Sequence, residues 1–249
     1  MNQRTILITG ATSGFGEAIA RRFAKEGWKL VILGRRKDRL DKLAKELKAH
    51  VLVCDVRKRK EVFEAIASLP REYATIDVLV NNAGLALGME SAHKADLDDW
   101  EQMVDTNVKG LMYITRAVLP GMVERGHGHI VNIGSTASNY PYPGGNAYGA
   151  SKAFVKQFSL NMRADLQGTN VRVTNLEPGL AETEFSLVRF KGDKEKAATV
   201  YAGMMPLTGQ DIAEAVHWCT HLPAHMNVNR MEIMPTAQSF GPFAVHRKT

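Results

Sequence analysis

The sequence predicts an α/β fold, a doubly wound parallel sheet of seven strands with helices on both faces. Three observations lead there. Short β-branched and aliphatic runs alternate with longer amphipathic segments from one end of the chain to the other, the pattern of β-α units joined by right-handed crossovers. The first run passes straight into a glycine-rich turn and then into a helical pattern. Polar or glycine-containing turns follow most of the other strands, so the chemically suggestive residues gather at one sheet edge, where such sheets hold ligands.

Residues 5–9 (TILIT) form the first predicted strand, followed at once by Gly10-Ala-Thr-Ser-Gly14-Phe-Gly16. Ala18, Ile19, Phe23 and Ala24 then recur at helical spacing until Gly27. A strand, a glycine turn and a helix make the context of a dinucleotide-binding fingerprint, here spaced Gly-x3-Gly-x-Gly. Glycine lets the backbone turn tightly and approach a pyrophosphate, and the helix start supplies amides and the positive end of its dipole. Residues 29–33 are the second strand, ending in Gly34-Arg35-Arg36. After this strand a carboxylate would accept from an adenosine 2′-hydroxyl, whereas arginine pairs with a 2′-phosphate. With two arginines and no carboxylate before Asp38, the expected cofactor is NADP(H); the competing reading is that both arginines decorate an exposed loop.

A helix at 38–48, a strand at 50–54 and the pair Asp55-Val56 come next, with Asp55 expected to face an adenine amino group. A helix near 61–69, a strand at 76–80 and the turn Asn81-Asn82-Ala83-Gly84 lead to helices over 97–108 and 110–125. Asn107 falls inside the first of these, where a polar group is commonly a satisfied structural one. The fifth strand, 129–133, ends in Gly134-Ser135, and a long helix over 146–166 carries Tyr148 and Lys152. The sixth strand, 171–175, runs into a rigid turn, Glu177-Pro178-Gly179. Residues 180–206 have weak periodicity and mixed charge, which makes them a candidate substrate lid. A helix at 210–220 and a strand at 230–234 complete the sheet, and the tail 235–249 is expected to pack at a subunit interface. One catalytic domain over 1–249 is the result.

Tyr148 and Lys152 are four residues apart and share one helix face, where the ammonium can act on the phenol. An unperturbed tyrosine titrates at about 10. A fixed cation beside it is expected to lower that value and fit it for acid–base work. Ser135, arriving from a strand end, could hold a substrate oxygen beside the phenol. A surface ion partner is the ordinary reading of such a Tyr/Lys spacing, and it is the surrounding motifs that argue against it.

Composition limits the remaining choices. With 249 residues, 45% hydrophobic and 23% charged, the chain can bury one sizeable core. It carries no signal-peptide core and no run long enough to span a membrane, so a cytoplasmic protein is expected. Cys54 and Cys219 give no disulfide framework and no Cys/His spacing suggests a metal site. The formal charge of +6 is scattered rather than gathered, so small anionic ligands explain it without nucleic acid.

The set Thr9-Gly10-x3-Gly14-x-Gly16, Asn81-Asn82-Ala83-Gly84, Asn107, Ser135, Tyr148-x3-Lys152 and Pro178-Gly179 resembles the motifs of the short-chain dehydrogenase/reductase family in order and spacing, on a Rossmann-like fold. The resemblance implies NAD(P)-linked hydride transfer between an alcohol and a carbonyl. It implies Tyr148 as general acid–base and Lys152 as the residue that lowers its pKa and holds the nicotinamide ribose. Ser135 would orient the substrate oxygen, and Asn107 would support a water relay to Lys152. The candidate cofactor-binding set is Gly10, Thr12, Ser13, Gly14, Phe15, Gly16, Arg35, Arg36, Asp55, Val56, Asn82, Ala83, Gly84, Tyr148, Lys152, Pro178, Gly179 and Thr183, and a homotetramer follows from the same resemblance.

Within the family, residues 81–88 (NNAGLALG), 116–124 (RAVLPGMVE), 144–146, 188–193 (VRFKGD) and 222–225 resemble bacterial NADP-dependent 3-hydroxy acid dehydrogenases and sulfoacetaldehyde reductases. After Pro178-Gly179 the chain reads Leu180-Ala181-Glu182-Thr183-Glu184-Phe185, which departs from the serine-acting group next to the substrate. The expected substrate is a small anionic aldehyde or ketone, read by Arg189 together with Ser135 and Tyr148. Lys191 is a second cation in the same stretch. Bulkier neutral or acyl-carrier substrates, or a non-catalytic NADP-sensing or nucleic-acid-binding module, are the alternatives; the last would show a broken Tyr–Lys–Ser set.

Overall fold

Alternating side-chain direction along the strands decides how the layers assemble. In β1 (Thr5–Thr9) every residue is buried, because Ile6 and Ile8 enter one core while Leu7 enters the other. The computed structural model describes residues 3–241. The remaining strands are β2 (Lys29–Gly34), β3 (His50–Val53), β4 (Val78–Asn81), β5 (Gly128–Ile133), β6 (Val171–Pro178) and β7 (Arg230–Ile233). All pair in parallel, in the order β3-β2-β1-β4-β5-β6-β7. The chain reverses its direction of travel across the sheet between β1 and β4, and the carboxyl edge opens there into a crevice.

Helices α1 (Gly14–Ala24), α2 (Lys37–Leu47) and α9 (Gly209–Thr220) cover the Ile6/Ile8 face, with Phe23, Leu40 and Val216 fully buried against it. On the Leu7 face lie α3 (Arg59–Ala67), α5 (Leu111–Arg125) and α6 (Asn146–Asp165), which bring Val62, Ile114 and Met162. Burying an aliphatic side chain of this kind is worth about 1.5–3 kcal/mol. Both cysteines are free and buried. Burial pushes the thiol of Cys54 up to about 11 and that of Cys219 up to about 12, so both stay protonated.

Three regions depart most from the sequence reading, each for a physical reason. Helix α4 (Leu97–Val104) does not stop before α5; it continues through one wide π-helical turn, Asp105–Gly110, which no hydrophobic period reveals. Strand β6 runs on through Glu177 and Pro178 because β7 gives those residues partners, Glu177 opposite Glu232 and Pro178 opposite Ile233; the rigid turn expected there is strand. Residues 180–206 contain two short helices, α7 (Glu184–Arg189) and α8 (Lys194–Thr199). The segment is pinned at its base where Leu207 N donates to Leu180 O (3.0 Å) and Glu182 N to Leu207 O (2.8 Å). Among the described residues no helix is long and apolar enough to cross a membrane.

Candidate active site

The carboxyl edge of the sheet holds a cavity of about 380 Å³. Every candidate residue lines it except Gly16 and Asn107, which stand directly behind its wall. The glycine turn shapes one end. Gly10 has φ +66° and Gly14 φ +55°, and a Cβ on Gly10 would lie 2.9 Å from Ala83 Cα; at Gly16 it would collide with Gly10 O. No side chain caps the first turn of α1, since Ser13 makes no cap hydrogen bond, so its amides face the cavity. Asn82 explains the second motif: its Nδ2 donates to Thr9 O (2.9 Å) and Gly10 O (3.2 Å), clamping the turn to β4. These features fit a dinucleotide, with a close backbone approach, unpaired helix amides and basic residues at the adenosine end.

At that end Arg35 is exposed at the mouth. Arg36 donates to Thr12 Oγ1 (2.6 Å) and Ser13 Oγ (2.9 Å). Its other arm reaches Glu184 (3.3 Å), the first residue of α7, and that carboxylate also pairs with Arg39 (2.8 Å). Arg39 and Glu184 were missed by the sequence reading. Arg39 sits one turn beyond the Arg pair, and nothing in the chain announces that Glu184, 148 residues from Arg36, folds over it. Asp55 lines the cavity but is already held by Arg57 through a 2.6 Å ion pair. Burial pushes the Asp55 carboxyl up, and the Arg57 hydrogen bonds and charge bring it below the usual carboxylate range.

At the other end α6 presents Tyr148 and Lys152, both buried. Lys152 Nζ donates to Ile133 O (2.8 Å) and stands 5.8 Å from the centre of the Tyr148 ring. The expectation that this cation lowers the tyrosine is corrected here. Burial, helped by Tyr142, pushes Tyr148 up to about 12, against the lowering effects of Ser135 and Arg189. Burial likewise pulls Lys152 down to about 8. The site disfavours both charged forms, so the phenol holds its proton at neutral pH.

Ser135 Oγ accepts from Ala137 N (3.1 Å), and the hydroxyl favours the Tyr148 phenolate against the upward push of burial. Asn107, turned inward by the π-helical turn, donates to Leu85 O (2.8 Å) and Ser151 Oγ (3.0 Å) and accepts from Leu85 N (2.9 Å). Both of its N–H donors are therefore committed. Arg189 comes from α7: its guanidinium carbon lies 5.1 Å from the centre of the Tyr148 ring, and Nη2 donates to Tyr142 Oη. Its Nε is buried with no hydrogen-bond partner. Lys191 is directed elsewhere, pairing with Asp99 at 2.8 Å. Tyr142 and Phe185, also missed from sequence, enclose Tyr148, with the Phe185 ring 5.6 Å away; the only signal was an aromatic a few residues after each of the Ser135 and Pro178 motifs. Of the tail 235–249, the described part runs past the cavity of its own chain, where Gln238 Oε1 accepts from Leu180 N (2.7 Å). Residues 242–249 lie outside the described residues.

A parallel sheet whose crevice offers a dinucleotide cradle at one end and a Ser, Tyr and Lys set at the other defines an NADP-type dehydrogenase architecture. Residues 4–193 match the family described as short chain dehydrogenase, and the chain belongs to that family. It is 60% identical over 246 residues to the NADP-dependent 3-hydroxy acid dehydrogenase YdfG of Escherichia coli (strain K12), covering 98% of this chain and 99% of that protein. It is 54% identical over 247 residues to sulfoacetaldehyde reductase 2 of Chromohalobacter salexigens, covering 97% and 98%. Among solved structures, the closed form of a serine dehydrogenase complexed with NADP+ superposes with a TM-score of 0.94 at 60% identity, covering 98% of this chain and 100% of that one.

Proposed function

We propose that this chain is a cytoplasmic NADP(H)-dependent oxidoreductase that interconverts a small anionic aldehyde or ketone and its alcohol, a 3-hydroxy acid/malonic semialdehyde or sulfoacetaldehyde/isethionate type of reaction. The observation that carries the substrate class is Arg189, a cation 5.1 Å from the Tyr148 ring with an unpartnered buried Nε. A carboxylate or sulfonate supplies the acceptor that this nitrogen lacks, in the fork geometry that guanidinium favours. The relatives named above, which act on a 3-hydroxy acid and on sulfoacetaldehyde, support the same class.

Gly10, Gly14, Gly16 and the first turn of α1 would hold the pyrophosphate, Arg35 and Arg36 the 2′-phosphate, and Lys152 the nicotinamide ribose. Thr12, Ser13, Phe15, Asp55, Val56, Asn82, Ala83, Gly84, Pro178, Gly179 and Thr183 complete that cradle. When bound, the dinucleotide supplies the hydride. Tyr148 donates its proton to the carbonyl oxygen as charge grows there, and Ser135 donates a hydrogen bond to the same oxygen. With its proton in place Tyr148 serves as the acid in reduction, and without it as the base in the reverse oxidation. Asn107 is a positioning residue that fixes Leu85 and Ser151; a water relay from it to Lys152 belongs to the proposal on the strength of the family resemblance.

Closure of residues 180–206 over the substrate, a homotetramer, and a subunit contact made by the tail complete the reading. The exposed Phe240, 66% accessible, supports such a contact, and light scattering on the purified protein tests the assembly. The central test is NADPH oxidation against malonic semialdehyde, sulfoacetaldehyde and neutral aldehydes of similar length. The proposal expects the anionic compounds to be turned over with the highest kcat/KM. Preference for neutral or acyl-carrier substrates overturns it.

A further inference from the structure

Away from the cavity, the last turns of α1 and α9 bring three metal-binding side chains together: Glu26 from just beyond α1, His217 on α9, and His221 at its end. One ligand atom from each lies within 4.8 Å of the other two. We propose that Glu26, His217 and His221 form a binding site for one divalent transition-metal ion of the Zn²⁺, Co²⁺ or Ni²⁺ class, tying the carboxyl ends of α1 and α9 together.

Hydrogen bonding fixes which atoms are offered. His221 Nδ1 lies 2.8 Å from His217 O, and a carbonyl can only accept, so Nδ1 carries the hydrogen and Nε2 keeps its lone pair. The same conclusion follows from Arg4, whose Nη2 approaches His221 Nε2 at 3.2 Å and can only donate. That lone pair lies 3.2 Å from Glu26 Oε2, so two ligand atoms stand side by side with the Arg4 guanidinium at the nitrogen, a cation that a metal ion can replace. A ring N–H bonded to a backbone carbonyl is also the support that metal-ligating histidines usually receive. The second imidazole is under-satisfied in its own way. His217 Nε2 is buried and makes no hydrogen bond of good geometry, although Glu26 Oε1 is 2.7 Å away.

Spacing and access agree with this assignment. Histidines four apart on a helix share a face, and these two rings lie 3.9 Å apart. Zinc bonds of about 2.0–2.2 Å to N and O place neighbouring ligand atoms roughly 3–3.5 Å apart, so small side-chain rotations convert the present separations into a three-ligand set with water in the fourth position. Imidazole with carboxylate suits this metal class. The side chains retain 19%, 28% and 33% exposure for His217, His221 and Glu26, enough for entry from solvent. Two arginines face the cluster, and each has an anchor of its own. Arg22 pairs with Glu214 at 2.8 Å while donating to Glu26 Oε1. Arg4 lies over Trp28, 4.1 Å from the ring centre, so it can release His221 without losing its place.

The test uses the full, untagged chain stripped with EDTA and titrated with Zn²⁺ against a chromophoric chelator, with thermal unfolding in parallel. One ion per chain and a Zn²⁺-dependent rise in Tm are expected, because an ion that binds only the folded state stabilises it. His217→Gln and His221→Gln should each weaken binding at least ~10-fold and abolish the Tm rise, while NADPH turnover without added metal stays unchanged. As a measurement that needs no variant, one equivalent of Co²⁺ added to the wild-type chain should give visible bands of nitrogen and oxygen ligation. No binding at micromolar Zn²⁺, absent Co²⁺ bands, or unchanged affinity in the His217→Gln/His221→Gln double variant overturns the proposal.

Discussion

The glycine-turn end of the cavity, where we place the dinucleotide, is shaped by backbone, and the Tyr148 end, where we place the substrate, by side chains drawn from separate segments. At the first, Gly10 and Gly14 take positive φ and Gly16 leaves no room for a Cβ; the shape follows from a turn of seven residues plus the clamp from Asn82. At the second, Ser135 comes from the end of β5, Tyr148 and Lys152 from α6, Tyr142 from the loop between them, and Phe185 and Arg189 from α7. The difference matters for specificity. A backbone cradle recognises what every dinucleotide shares, whereas an assembled side-chain wall can be changed one residue at a time. Arg36 bridges the two ends, since it holds Thr12 of the glycine turn and Glu184 of α7.

The largest effect should come from the substrate end. Tyr148→Phe keeps the ring and removes the proton donor, so kcat is expected to fall by about 100-fold or more while NADPH affinity, followed by fluorescence, is little changed. Retained turnover in a folded variant would remove the acid–base assignment and leave the backbone end as the only functional one. Next, replacing Arg35 and Arg36 together with Ala removes charge-assisted hydrogen bonds worth about 1.5–3 kcal/mol each. KM for NADPH should rise at least ~10-fold with KM for NADH almost unmoved; equal changes would mean that the arginines are surface charge.

Arg189→Ala sharpens the contrast within the substrate end. Catalytic efficiency for an anionic semialdehyde should drop by roughly 10-fold or more, while a neutral aldehyde of the same length is affected little. An equal fall for both would assign Arg189 to holding α7 in place.

Lys152→Met separates function from stability. The Lys152 ammonium is pulled from its usual 10.5 to about 8 by burial, so between those values the unfolded chain binds the proton that the folded chain has lost. Stability therefore rises as pH climbs from 8 towards 10.5, and below 8 the burial cost is carried in full. The variant should lose turnover yet resist urea better than the wild type by on the order of 3 kcal/mol below pH 8, with the gap closing towards pH 10.5. A variant less stable than the wild type at pH 7 would show that the hydrogen bond to Ile133 O outweighs desolvation.

The smallest effect is expected at the bridge between the two ends. Glu184→Gln removes the carboxylate that shares Arg36 and Arg39, and NADPH should bind a few-fold more tightly because the anion competing for those guanidinium groups is gone. Weaker binding in this variant would assign Glu184 to positioning the arginines instead.

Local signals explain how much was legible beforehand. The run Thr5–Thr9, the glycine spacing after it and the Tyr148/Lys152 interval are written in neighbouring residues, and each works through backbone geometry that the residues themselves enforce. Seven strands in parallel follow from the alternation of short and long apolar segments, and so does a ligand edge at the strand ends. Other features required distant parts of the chain to meet. The length of β6 depends on β7, the π-helical turn carries Asn107 to Leu85 and Ser151 in other segments, and Glu184 reaches Arg36 across 148 positions. The protonation of Tyr148 belongs with these. A Tyr–Lys interval predicts a lowered pKa, but the fold buries both groups and raises it to about 12, because desolvation depends on everything that surrounds a side chain and not on its neighbours in sequence. Sequence alone determined the sheet, the glycine turn and the Ser–Tyr–Lys set proposed to react; tertiary structure decided their electrostatics, through the burial that only the assembled chain can impose.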